Sequence, residues 1–199
     1  QVVTHISDNA AAFVATYPGL VETATNAPPV YLVIGSERGF CGDFNERLLD
    51  SLSNQPCAGI IAVGSRLLSR LESYSYNTLA TLFGANAEEE IALLLEQILE
   101  QLEKLPSDSP LIVLYHYHES NQPQVRQILP PFSCHKAHHH AAEQITLNLA
   151  PDVFFLQLTQ QYVLAALHEI LTLSLLAENR LRLQHLEGAV QHLDEQTDK

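Results

Sequence analysis

The chain has 199 residues, and its 17% charged content against 46% hydrophobic leaves ample material for a core and excludes disorder over most of the length. Ten basic against 23 acidic residues give a net charge of −13 with histidine neutral. Such a charge repels a phosphate backbone and argues against duplex DNA or RNA as a partner. Cys41, Cys57 and Cys134 form neither a Cys-x-x-Cys pair nor a dense disulfide framework and fit a reducing compartment. The length suits one domain, or one domain plus a helical extension.

In chain order, Val3, Ile6, Ala10 and Phe13 fall at helical spacing before Tyr17-Pro18-Gly19, which predicts a helix over 1–16. The runs 30–34 (VYLVI), 59–63 (GIIAV) and 111–115 (LIVLY) are apolar at successive positions. Such runs read as central parallel strands covered on both faces, and all are far short of the ~20 residues that cross a bilayer. Between them lie helical sets: Phe44, Leu48, Leu49 and Leu52; Leu67, Leu68 and Leu71; and Ile91, Leu94, Leu95, Ile98, Leu102 and Leu105. The last set follows Asn86-Ala87-Glu88-Glu89, read as an Asn cap with an acid three positions on. Strand–helix alternation predicts an α/β domain over 30–150 built on a mostly parallel sheet. Segments 77–82, 124–130 and 144–149 are further strand candidates, the second pairing with 111–118 across Ser120-Asn121-Gln122-Pro123.

From Pro151 to about Asp194 only Gly188 interrupts the pattern, which predicts one helix of about 44 residues, roughly 65 Å long. Its first half, with Phe154, Phe155, Leu158, Tyr162, Ala165 and Leu167, is apolar enough to lie against the sheet. In the second half Leu176, Leu183 and Val190 recur every seven residues, with Leu186 and Leu193 three positions after the last two, the a/d seam of a coiled coil. Residues 1–16 and about 176–196 are therefore expected to pair as an antiparallel coil, in three segments overall: 1–17, 30–150 and 151–196. The alternative is that each stripe docks on the sheet domain. The chain contains no methionine, and its heptads run out to both ends, so the coil reads as trimmed.

The most specific local signal is Ser36-Glu37-Arg38-Gly39-Phe40-Cys41-Gly42-Asp43-Phe44-Asn45, directly after the first strand. Its two glycines permit a tight strand-to-helix turn, and a helix start can hold an anion. A dinucleotide fingerprint is incomplete, because only Gly39-x-x-Gly42 stands and no acid ends the second strand at Ala62-Val63-Gly64-Ser65-Arg66. A Walker loop is also missing, so a small phosphate site and a purely structural turn both remain open from the residues alone.

The stretch 31–49, with Arg38, Gly39, Cys41, Gly42 and Asn45, resembles a motif of the F-type ATP synthase gamma subunit, Phe40 replacing the usual Leu. The resemblance extends through Ile60–Arg66, through Leu111–Pro131 with Ile128-Leu129-Pro130, and along the helix from Tyr162 through Glu178, Arg182, Leu183 and Leu186. It implies a Rossmann-like foot flanked by terminal helices that pair as an antiparallel coiled coil. It also implies a non-catalytic central-stalk rotor with no cofactor, meeting the alpha and beta subunits, the epsilon subunit and the membrane ring of c subunits. Glu178, Arg182, Leu183 and Leu186 would then be stalk or partner contacts. The implied setting is the cytoplasmic face of a bacterial plasma membrane, with protons or sodium as the coupling ion. Readings from other classes are a small nucleotide- or phosphometabolite-binding protein and a free-standing gamma-derived interaction module.

The sequence departs from the family pattern after Leu186, where Glu187-Gly188-Ala189-Val190-Gln191-His192 replaces a Lys-Ala-Ala-Thr-Asp-Asn run, which suggests a divergent or alternative-type gamma. Cys134-His135-Lys136-Ala137-His138-His139-His140 carries metal-ligand residue types without structural-zinc spacing and reads chiefly as a surface loop. His116 and His118 flank Tyr117 at a strand end and would share one face. Glu88-Glu89-Glu90 suits a first helical turn, where acids complement the helix dipole. No nucleophile–base set can be named from spacing, and Cys41 reads as a packing residue.

Overall fold

The computed structural model describes residues 2–20, 27–53, 55–106, 108–117, 119–120, 122–132 and 148–197. Five strands form one sheet in the order β3-β2-β1-β4-β5. They are β1 (Val30–Ile34), β2 (Gly59–Val63), β3 (Thr78–Leu82), β4 (Leu111–His116) and β5 (Pro123–Leu129). The first four are parallel, with Val30 opposite both Gly59 and Leu111, and β5 returns antiparallel to β4. Every residue of β1 and β2 is buried, the condition that their unbroken apolar runs require.

Alternation along β1 divides the interior into two cores. Val30, Leu32 and Ile34 face one side, where they join Val63, Val113 and Tyr115. On that side lie the helices α1 (Val2–Thr16), α4 (Ile91–Leu102) and the first half of α5 (Pro151–Thr197). Tyr31 and Val33 face the other side, against α2 (Phe44–Leu52) and α3 (Ser65–Leu71) through Leu48, Leu49, Leu52 and Leu67. Ala177 of α5 belongs to this second core, so the long helix runs along the first face and then passes the carboxyl ends of the strands. Arg126 of β5 also pairs with Glu169 of α5 at 2.8 Å.

The long helix, at 47 residues, extends about 70 Å. It pairs with α1 as expected, but in a different register. Phe13 near the end of α1 packs on Phe154 and Phe155 at the start of α5, with ring centroids 5.0 and 6.0 Å apart. Val3 and Ala10 are buried in the same cluster as Tyr162, Val163 and Ala166. The two helices thus run antiparallel, but α1 lies on the opening turns of α5 rather than on 176–196. The physical reason is that α1 has its apolar stripe satisfied by aromatic stacking and by the sheet-facing core. Leu176, Leu183, Leu186, Val190 and Leu193 consequently remain 41% to 61% exposed.

The start of α4 is a second correction. Residues Glu88–Glu90 form a single 3-10 turn ahead of Ile91, and Asn86 makes no side-chain cap to the helix. Instead Glu90, not Glu89, accepts the Asn86 backbone N–H at 2.7 Å, while Asn86 Oδ1 accepts from Arg38 Nε at 2.8 Å. The expected strand at 124–130 is β5. Of the candidate at 144–149, residues 144–147 lie outside the described residues, as do His118 and the 134–140 run.

Candidate functional site

The turn that follows β1 is braced from three directions. Ser36 N–H donates to Asn45 Oδ1 at 3.0 Å, and Asn45 Nδ2 donates back to Ser36 Oγ at 2.9 Å. Both residues are buried, so this pair ties the strand end to the first turn of α2 and accounts for an asparagine at that place. The Glu37 carboxylate accepts from Ser65 N–H at 2.9 Å, from the Ser65 hydroxyl, and from Gly84 N–H at 2.6 Å. It therefore joins the carboxyl ends of β1, β2 and β3. Gly64 makes room for this approach: at φ +107°, a Cβ there would lie 2.7 Å from Ser36 O.

The third brace comes from the long helix. Glu178 Oε2 accepts Glu37 N–H at 3.1 Å, and Oε1 accepts Arg38 N–H at 2.9 Å. The side chain is only 4% exposed. Burial raises its pKa, more than the two backbone donors and Arg182 lower it. Two turns later His185 packs over Gly42, where φ is +57° and a Cβ would lie 2.8 Å from Nε2. Phe40 also adopts a positive φ of 65° and stands outward, 73% exposed. A bulky residue in this region is strained.

These contacts decide what the turn can do. Successive backbone N–H groups after the first strand are the usual anion cradle of a doubly wound sheet. Here those of Glu37 and Arg38 are taken by Glu178, and the cradle after β2 is taken by Glu37. The chain's own carboxylates occupy the positions a phosphate would use. Cys41 is buried, its thiol near the Arg38 and Gly39 carbonyls at 3.5 Å, and burial pushes its pKa up to about 11. A neutral thiol in that setting packs rather than attacks.

The strand order places a topological switch between β1 and β4, the usual ligand crevice of such folds. A groove of about 380 Å³ lies there, between α2 and α5, with Phe44, Arg47, His116, Arg180, Leu181 and Gln184 in its lining. His116 is buried at its floor, its Nε2 2.8 Å from Phe44 O, and burial lowers its pKa. Arg47 is held by Asp43 at 2.7 Å. Among the described residues no group of His, Cys, Asp and Glu could hold a metal ion.

The structure thus gathers Arg38, Gly39, Cys41, Gly42, Asn45 and Glu178 at one junction. Glu178 is turned inward and bonded within the chain. Arg182, the next turn outward, has a buried Nη1 without a hydrogen-bond partner, and Leu183 and Leu186 stand exposed beyond it. Glu37, Ser65 and His185 belong to the same junction and were missed from sequence. The strand-ending Gly64-Ser65 and Gly84 were the available signal that other backbone comes close.

Solved chains of known assemblies share this fold, three of them as follows. One belongs to a structure described as the Tetrahymena thermophila mitochondrial ATP synthase central stalk and c-ring, at TM-score 0.61 and 15% identity, covering 96% of this chain and all of that one. A second, from the Euglena gracilis mitochondrial ATP synthase rotor, gives TM-score 0.61 and 17% identity, covering 100% of this chain and 88% of the other. A third, from the Euglena gracilis OSCP/F1/c-ring structure, gives TM-score 0.56 and 18% identity, with 98% and 79% covered. No curated protein sequence matches the chain. A family model described as ATP synthase matches residues 1–199 in full, and the chain belongs to the ATP synthase family.

Proposed function

We propose that the chain is the gamma-type central-stalk subunit of an F-type ATP synthase, a rotor that does no bond chemistry itself. The observation that carries this reading is the shape of α5. Its first half is built into the sheet domain, whereas its last turns project beyond it with Leu183, Leu186 and Val190 exposed. A single helix of about 70 Å is far longer than a domain of this size needs for its own core. Family membership and the fold shared with the central-stalk chains support the same reading.

In this account the sheet domain is the foot, which meets the c ring and the epsilon subunit, and the free end of α5 rises between the alpha and beta subunits. The exposed Leu183 and Leu186, with Arg182 beside them, supply the contacts. ATP binding and hydrolysis belong to the catalytic subunits; this chain converts their changes of shape into rotation. No helix among the described residues is long and apolar enough to cross a membrane. In this reading the chain associates with the membrane through the ring, on the cytoplasmic face of a bacterial plasma membrane, with protons or sodium as the coupling ion.

The test is reconstitution with purified alpha and beta subunits. The wild-type chain is expected to yield an ATP-hydrolysing complex, and the Leu183→Asp/Leu186→Asp double variant to lose assembly while keeping its own fold. A well-folded wild-type chain that binds neither subunit would overturn the reading.

A further inference from the structure

We propose that Glu178 is a rotational key, the residue that locks the long helix to the foot so that torque passes between them rather than turning the helix in its seat. This rests on the rotor reading above and assigns Glu178 a positioning role inside the chain, not a contact with another subunit.

The location is the first argument. Along α5, Ile170, Leu171, Ser174, Ala177 and Glu178 are buried, and from Leu183 outward every described side chain is exposed. Glu178 is therefore the last buried residue of the helix where it leaves the foot, just inside the looser contacts of Leu181 and His185. Geometry supplies the second. Apolar contacts such as those of Leu167 and Ile170 are non-directional and oppose separation more than rotation. Glu178 instead offers its two oxygens to two successive backbone N–H groups, a directional pair that fixes the helix at one angle about its own axis.

The third argument is what the key engages. The Glu37–Arg38 turn is no loose loop: the Glu37 side chain is bonded to Ser65 and Gly84, and Ser36 to Asn45. A force on Glu178 is thus distributed to the ends of β1, β2 and β3 and to the start of α2. Another polar tie, Arg126–Glu169, involves partly exposed side chains on both sides and lies more than two turns back along the helix. Finally, a buried carboxylate without a cation bonded to it is an expensive way to gain stability, since an apolar side chain would serve packing better. Its presence at this point fits a mechanical role.

The experiment compares Glu178→Ala and Glu178→Gln with the wild-type chain in the complete membrane-bound complex, reading ATP hydrolysis and ions moved per ATP separately. Glu178→Gln keeps the volume and one acceptor oxygen, so it remains informative where alanine fails to fold. Leu94→Ala, a core variant on α4, serves as a control for mere loss of stability. Both Glu178 variants are expected to keep hydrolysis while losing ions moved per ATP, with glutamine the milder, and Leu94→Ala to keep the wild-type ratio. In the chain alone, amide exchange at Glu37 and Arg38 should rise about tenfold or more in Glu178→Ala. A wild-type ratio in Glu178→Gln and in any folded Glu178→Ala, or the same loss in Leu94→Ala, would overturn the proposal. A wild-type chain that fails to couple at all would instead remove the rotor reading and the torque role with it, so the two failures are distinguishable.

Discussion

Gly42 gives the sharpest test of how the junction is built. It sits at φ +57° with His185 of α5 directly above it. Gly42→Ala imposes two costs of different kinds. The left-handed backbone alone costs an L-residue about 1–2 kcal/mol. The added Cβ also meets His185 Nε2 at 2.8 Å, but that atom is the far end of an exposed side chain and moves away cheaply. Backbone strain therefore dominates. In a chain of this size about 1 kcal/mol shifts the melting temperature by about 2–4 °C, so Gly42→Ala is expected to melt about 2–8 °C lower by circular dichroism. Gly42→Val, β-branched at the same φ, should fall further. The same drop is expected in a His185→Ala background, because the strain is local to the backbone. A melting temperature within about 1 °C of wild type would refute the backbone account, and a drop abolished by His185→Ala would assign it to the contact instead.

Other outcomes follow from the same geometry. Because burial raises the Glu178 pKa, its carboxyl favours folding most below its ordinary value, and that contribution is lost as pH rises through the raised one. Thermal melts should therefore show Glu178→Gln gaining on wild type as pH increases from 4 towards 8, and a flat difference would contradict the shift. Moving the Cys41 thiol from 9.0 to about 11 lowers its thiolate fraction at neutral pH about a hundredfold. Alkylation at Cys41 should accordingly be that much slower in the native chain than in urea, as read by mass spectrometry of the Cys41 peptide. Gly188 lies in the exposed part of α5 with nothing near it. Gly188→Ala should raise helicity and stabilise that end by about 0.5–1 kcal/mol, measured as slower amide exchange over 183–197.

The sheet was legible because its signals are local. Three unbroken apolar runs can only be strands covered on both faces, and the spacing of Leu48, Leu49 and Leu52 faces them from the second side. The family resemblance was legible for a similar reason, since Arg38 to Asn45 and the Tyr162–Leu186 helix stand as contiguous motifs. The register of the terminal helices was not. Both stripes have helical spacing, and nothing in that spacing tells α1 to choose Phe154 and Phe155 over the leucine seam. The choice is made by aromatic stacking and by the sheet face beneath, both set by the assembled fold. Glu178 was recognised as a motif residue, yet its burial depends on backbone 140 positions away. Glu37 likewise bonds to Ser65 and Gly84, 28 and 47 positions away. Phe40 stands out in the sequence only as a replacement for Leu, because a positive φ at a phenylalanine is dictated by the bracing around it, not by its own preference.

The central claim is that this chain turns within a ring of catalytic subunits. It is tested most directly by assembling it with alpha and beta subunits fixed to a surface, attaching a bead to the sheet domain, and adding ATP. Stepwise, unidirectional rotation of the bead that stops when ATP is withdrawn is the predicted result. An assembled complex that hydrolyses ATP while the bead stays still or drifts at random would contradict the account.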